Sequence, residues 1–156
     1  MNKISITLLL LTFSMFSYGD SSQINFSQAG FSINALDGAP SEAGSQPLMM
    51  LLPAVNGFSA NVNVQIQPYP GTIDEYKKLS DSQFEQMGLK TISSSIKGNV
   101  LYIEYSGNMQ GKNLHFYSKA IKKGNKFYLA TATDSDSQWS LNRNKLKLVV
   151  DSLVLQ

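Results

Sequence analysis

The sequence predicts an α+β domain, an α/β/α sandwich with a central antiparallel sheet of about six strands flanked by helices. Three observations carry this expectation. Gly98 to Thr133 reads as three strands joined by two short turns, and helical patterns lie on both sides of it in the chain. The chain also has no cysteine, so no disulfide replaces a packed core. Asn99 to Ser106, Lys112 to Lys122 and Lys126 to Thr133 are rich in the β-branched and aromatic residues that strands favour. Gly107 to Gly111 is the expected first turn and Gly124-Asn125 the second, since both residue types tolerate the positive φ of tight hairpins. Two helices separated by a meander favour a sheet covered on both faces.

From the N-terminus, Met1 to Gly19 has the form of a secretory signal. Lys3 gives the positive start, and Ile4 to Phe16 gives an apolar core shorter than the roughly 20 residues that cross a bilayer. Ser17-Tyr18-Gly19 places small residues at the −3 and −1 positions of a cleavage site before Asp20. No cysteine follows, so the expected product carries no lipid and no stable membrane anchor. Residues 20–29 are polar and expected to be a flexible mature terminus, and residues 30–156 to form a single domain.

Gly30 to Leu36 alternates apolar and polar residues, as a short strand does. Asp37 to Gln46 is a Gly/Ser/Pro/Ala loop. Pro47 to Pro53 is an apolar run whose prolines favour a short buried strand over a helix. Within it, Met49 and Met50 fit core packing; the alternative is an adaptable ligand pocket shared with Trp139. Asn56-Gly57 is a turn signal. Val62, Val64 and Ile66 then alternate with Asn61, Asn63, Gln65 and Gln67, which gives a strand with one buried face. Phe58 and Tyr69 read either as an exposed aromatic contact point at one end of the sheet or as plugs under loops.

Thr72-Ile73-Asp74-Glu75 fits a capping box opening a helix. Its apolar stripe, Ile73, Tyr76, Phe84 and Met87, is interrupted at Ser80-Asp81-Ser82, where a kink or restart is expected. Gly88 suits the residue after its end. Leu89 to Ile96 reads as the strand leading into the meander. After it, Asp134 to Ser137 offers N-caps for a second helix, with Trp139, Leu146, Val149, Val150 and Leu153 on one face. Leu141 and Leu148 lie on another side.

Composition excludes several classes of function. With 13 Lys plus Arg against 11 Asp plus Glu, the net charge of +2 is too small to imply nucleic acid. Cysteine-type structural zinc is impossible. No catalytic, metal or cofactor set is visible. His115, the single histidine, lies in a strand with no evident nucleophile or acid partner, and reads as inert or as a pH-responsive contact. Glu104 reads as a lone, solvent-facing carboxylate, where glycosidase chemistry needs a pair. Asp134-Ser135-Asp136 lacks the later glycine and glutamate of a calcium loop and reads as helix capping. Lys119, Lys122, Lys123 and Lys126 gather near the second hairpin tip, either as a solvated turn or as a docking patch for an acidic partner or phospholipid.

Phe58, then Val62-Asn63-Val64, then Thr72-Ile73-Asp74-Glu75-Tyr76 resemble the opening of the PsbP-like superfamily, which includes PsbP and DcrB-like bacterial envelope proteins. The resemblance continues through Phe127 to Thr133, Trp139 and Val150-Asp151-Ser152-Leu153, covering about Phe31 to Leu155. It implies an α/β/α sandwich and a non-catalytic role in docking to or stabilising protein complexes. The chain lacks the lipidation cysteine of the DcrB-like lipoproteins, and nothing specific to Ran or manganese binding is present. The resulting expectation is a periplasmic or secreted, non-catalytic protein-binding or accessory factor of the bacterial envelope, with no cofactor. Its partner is another envelope or secreted protein. The alternatives are a small-ligand carrier with its pocket between sheet and helix, or an escort that neutralises a secreted effector.

Overall fold

The computed structural model describes residues 23–26, 30–34 and 45–156. The predicted signal, Met1 to Gly19, and most of the loop predicted from Asp37 to Gln46 lie outside the described residues. The chain divides into two compact units, Met1–Asp37 and Gly38–Gln156.

In the first unit, β1 (Gln23–Phe26) pairs antiparallel with β2 (Phe31–Asn34), placing Ile24 opposite Ile33 and Phe26 opposite Phe31. This corrects two expectations. Residues 23–26 are a strand rather than irregular terminus, because Ile24 and Phe26 supply a period of two that their polar neighbours obscure. The strand expected at residues 30–36 finds its ladder partner in β1, so it belongs to the first unit and not to the larger sheet.

The second unit contains β3 (Ser45–Leu51), β4 (Asn61–Pro68), α1 (Ile73–Gln86), β5 (Lys90–Lys97), β6 (Val100–Met109), β7 (Lys112–Lys123), β8 (Lys126–Ser135) and α2 (Asp136–Asp151). Its strands form one antiparallel sheet in the order β3-β4-β8-β7-β6-β5. The first meander turn is tighter than the sequence suggested. Met109 pairs with Lys112, leaving only Gln110 (φ 53°) and Gly111 (φ 80°) between strands. Two consecutive positive φ values give the type I′ geometry that matches strand twist. Gly107 stays in β6, where a Cβ would lie 2.7 Å from Leu89 Cδ2, so glycine here serves close packing and not chain reversal.

The capping box opens α1 as expected. Thr72 Oγ1 accepts from the Glu75 amide (3.2 Å), and the Thr72 amide donates to Glu75 Oε2 (2.7 Å). The helix runs unbroken through Ser80, whose buried hydroxyl donates to the Tyr76 carbonyl at 2.9 Å. That local bond satisfies the buried polar group within the helix, so the serine needs no break in the chain to find a partner. At the start of α2, Ser135 occupies the N-cap position without a side-chain cap bond. Asp134 instead turns its carboxylate to the Ser135 amide (2.7 Å) and to Asn142 Nδ2 (2.9 Å).

Alternation along the strands sorts the interior into two layers. Under α1, Tyr76 and Leu89 pack with Leu101, Ile103, Tyr105, Phe116 and Phe127. Under α2, Trp139, Leu146 and Val150 pack with Val62, Tyr117, Ala130 and Ala132. Strand β7 serves both layers and is buried without interruption from Leu114 to Ile121, which is why it shows no clean alternation of polarity. The first layer is aromatic: Tyr76 stacks on Phe127 (3.8 Å between centroids), Phe84 on Tyr105 (4.1 Å) and Tyr105 on Phe116 (4.7 Å). Each such pair adds about 0.5–1.5 kcal/mol beyond burial of its area. Leu141 and Leu148 point outward from α2, at 75% and 72% exposed.

The strand at Pro47 to Pro53 is present but not buried. It forms β3, the sheet edge, with Leu48 (44%), Met49 (47%), Met50 (42%) and Leu51 (62%) exposed. An edge strand can combine proline with an apolar run because its outer backbone groups need no ladder partner.

Candidate functional site

Strand β3 is the first candidate. From Ser45 to Phe58 the chain has no charged residue, so this edge lacks the lysines that usually discourage pairing with another strand. Each edge has one register irregularity, β3 between Ser45 and Leu48 and β5 between Thr91 and Ser93, but only β5 carries lysines, Lys90 and Lys97, at its ends. Register places Leu48 and Met50 opposite Val64 and Val62, on the α2 face, while Met49 and Leu51 lie opposite Asn63 and Asn61, on the α1 face. Consecutive strand residues point to opposite faces. Met49 and Met50 therefore cannot line one pocket, and the predicted trio with Trp139 does not form. Trp139 is only 6% exposed and stacks on His115, with centroids 4.2 Å apart.

Phe58 and Tyr69 are not neighbours either. The eight residues of β4 separate them, placing them at opposite ends of that strand. Phe58 is half-buried beneath Lys112, whose Nζ lies 5.5 Å from the ring centroid and donates to the Gly57 carbonyl at 2.8 Å. Tyr69 packs edge-on against Tyr76 (5.4 Å) and Phe127 (5.9 Å). Both act as plugs of the α1 layer.

The lysine cluster is also dispersed. Lys119 is only 8% exposed, and its Nζ donates to the carbonyls of Asp151 (2.7 Å) and Leu153 (2.8 Å). It closes the C-terminal end of α2, where carbonyls lack helical partners and the dipole is negative. Lys122 faces the other layer, 5.4 Å above the Phe127 ring, and bonds the Gly124 carbonyl at 2.7 Å. Lys123 donates to the Gln156 carbonyl at 2.6 Å, and half-buried Lys126 sits opposite Pro68. Strand alternation, invisible in a count of nearby lysines, splits the patch.

A polar network on the α2 face was missed. Glu104 Oε1 lies 3.0 Å from His115 Nε2, Glu104 Oε2 accepts from Lys147 Nζ at 3.0 Å, and His115 Nδ1 lies 3.3 Å from Asp136 Oδ1. Beside it, the Tyr117 hydroxyl donates to Asp151 Oδ1 at 2.9 Å while Lys147 lies over the Tyr117 ring at 4.2 Å. Glu104 is therefore neither lone nor solvent-facing; its side chain is 19% exposed. Burial alone raises the Glu104 carboxyl, but hydrogen bonds from Lys147 and His115, with their charges, outweigh it and hold the group below its ordinary range. Burial, then the bond to Asp151, pushes the Tyr117 phenol up. The hairpin register explains the miss. A turn over Gly107 to Gly111 has five residues and the observed turn has two, an odd shift. Such a shift moves His115 from the opposite face to the face of Glu104.

The network is closed upon itself. Both ring nitrogens of His115 face carboxylates, so neither remains to activate a nucleophile. Among the described residues no group of three or more His, Asp or Glu side chains is arranged to hold a metal ion. Between β5, β6 and the C-terminal half of α2 opens a cleft of about 550 Å³, lined by Ser93, Ser95, Lys97, Tyr102, Lys147 and Asp151 among others.

A six-stranded antiparallel sheet with a helix packed on each face is an α+β sandwich. Among solved structures the chain is similar to PA94 of Pseudomonas aeruginosa, a protein of unknown function, with 14% identity over 86% of this chain and 96% of that one and a TM-score of 0.66. It is also similar to cyanobacterial PsbP from Synechocystis sp. PCC 6803 (12% identity, 93% and 99% covered, TM-score 0.45). LpqN, involved in cell envelope biogenesis of Mycobacterium tuberculosis, shares 14% identity over 70% of this chain and 80% of its own, with a TM-score of 0.42. At these identities the likeness is one of fold. No family model and no curated protein matches the chain. Among the described residues no helix is long and apolar enough to cross a membrane.

Proposed function

We propose that the protein is an exported, non-catalytic binding factor of the bacterial envelope that accepts an extended segment of a partner protein alongside β3. The observation that carries this reading is the contrast in charge between the two sheet edges: each has one register irregularity, but β5 is flanked by Lys90 and Lys97 while β3 is uncharged, apolar and exposed. An incoming strand gains main-chain hydrogen bonds from the outer edge of β3. Leu48 and Met50 meet its side chains on one face, and Met49 and Leu51 meet them on the other. The flexible thioethers let one edge fit several apolar sequences. The fitting partner is an envelope or secreted protein presenting an uncharged, apolar strand, and the signal-like N-terminus supports meeting it outside the cytoplasm.

The test combines capture from envelope extract with hydrogen exchange on the complex. Wild type should retain one reproducible partner and gain protection in the β3 amides, and Leu51→Lys should lose it without a change in melting temperature. No protection at β3, or equal capture by Leu51→Lys, refutes the reading. A complex containing only this chain shows self-association in place of a partner.

A further inference from the structure

The cleft beside α2 is built by an irregularity in β5. Thr91 pairs with Tyr105, yet Ser93 pairs with Glu104, leaving Ile92 as an extra residue in the strand. Such a bulge reverses the facing of everything after it. It turns Ser93, Ser95 and Lys97 toward the α2 face while sending Ile96 into the α1 layer, where it packs on the core.

The wall chemistry is specific. Lys97 and Lys147 are matched by Glu104 and Asp151, so the cleft has no net charge. Both Glu104 oxygens are already taken, by His115 and Lys147. The hydroxyls of Ser93, Ser95 and Tyr102 bond no other side chain among the described residues, and the Asp151 carboxylate bonds Tyr117 through one oxygen only. Tyr102 also lines a second cleft of about 600 Å³ that continues past it toward Val154 and Leu155. The two clefts meet at the half-exposed Tyr102 ring, which packs on the α2 core and has Lys97 Nζ 5.9 Å from its centroid, and together they make an elongated groove.

The geometry points to a binding site for a neutral oligosaccharide laid across Tyr102. Sugar hydroxyls donate and accept together, matching serine and tyrosine hydroxyls, a carboxylate oxygen and an ammonium. The C–H face of a sugar ring packs on an aromatic face. A phosphorylated ligand finds the lysines of the first cleft matched by carboxylates and those of the second, Lys119 and Lys123, already donating to backbone carbonyls, and a lipid finds charged walls in the first cleft. An extended peptide finds no backbone ladder on the face of a sheet.

The test is an amide-resolved NMR titration of the chain with triacetylchitotriose in one arm and maltotriose in the other. At least one arm should give saturable shifts at Ser93, Ser95 and Tyr102 with millimolar or tighter affinity. Tyr102→Ala should weaken binding by about tenfold or more, while Tyr102→Phe, which keeps the ring, should retain most of it. If Tyr102→Ala disturbs the spectrum as a whole, the double variant Ser93→Ala/Ser95→Ala, on the exposed strand, should show the same loss. No saturable shift in either arm, shifts that persist in Tyr102→Ala, or an uncharged extended peptide that produces them in place of the sugars overturns the assignment.

Discussion

Glu104 and Lys119 are polar side chains that attach α2 to the sheet. Glu104 links Lys147 of the helix to His115 of β7. Glu104→Gln should cost about 1–3 kcal/mol in chemical denaturation, because charge-assisted bonds to two groups are weakened together. The sign of the pH effect follows from the lowered carboxyl. Its stabilisation is present above the ordinary carboxylate range and fades as pH falls through the lower folded value. The gap in melting temperature between wild type and Glu104→Gln should therefore be full at pH 7 and shrink on acidification; a constant gap down to pH 3 counts against the network. Lys119→Ala should cost about 1–3 kcal/mol, since it leaves two carbonyls at the helix end unpaired. Exposed Lys123→Ala should stay within about 0.5 kcal/mol. Equal effects from the two lysines would return Lys119 to the surface role that the sequence suggested.

At the scale of elements, legibility followed periodicity. Strand β4 announced itself through Val62, Val64 and Ile66, and α1 through Thr72 and Glu75, because each signal is local and repeats at the spacing of its element. The candidate site was far less legible, since it depends on register. Gly107 resembled a turn residue while its real use is to admit Leu89, and that single misreading hid the pairing of Glu104 with His115. The β3 edge was read as interior because apolar content does not distinguish a central strand from an unguarded one. The turn itself is testable. Gln110 holds a positive φ that favours Asn or Gly, so Gln110→Asn should raise stability by about 0.5 kcal/mol. Gly111→Val at the next position should lower it by about 1 kcal/mol or more, measured by the same denaturation.

At the scale of the molecule, the two hydrophobic layers share β7, which ties their fates together. Val150→Ala on the inner face of α2 and Phe84→Ala on the partly buried face of α1 should each lower one common transition, by about 1–2 and 2–3 kcal/mol respectively. Coincident near-UV and far-UV circular dichroism melts are the expected result; a layer that melts separately would show the sheet to be a weaker bridge than its burial implies. The extra residue at Ile92 has a consequence for how this architecture varies among descendants. Deleting Ile92 alone would let Ser93 follow Thr91 in an unbroken ladder, with Ile96 still beneath α1 and Ser93, Ser95 and Lys97 still on the α2 face, whereas deleting two residues would force a new irregularity. Loss of one residue from that border is therefore expected to be tolerated where loss of two is not.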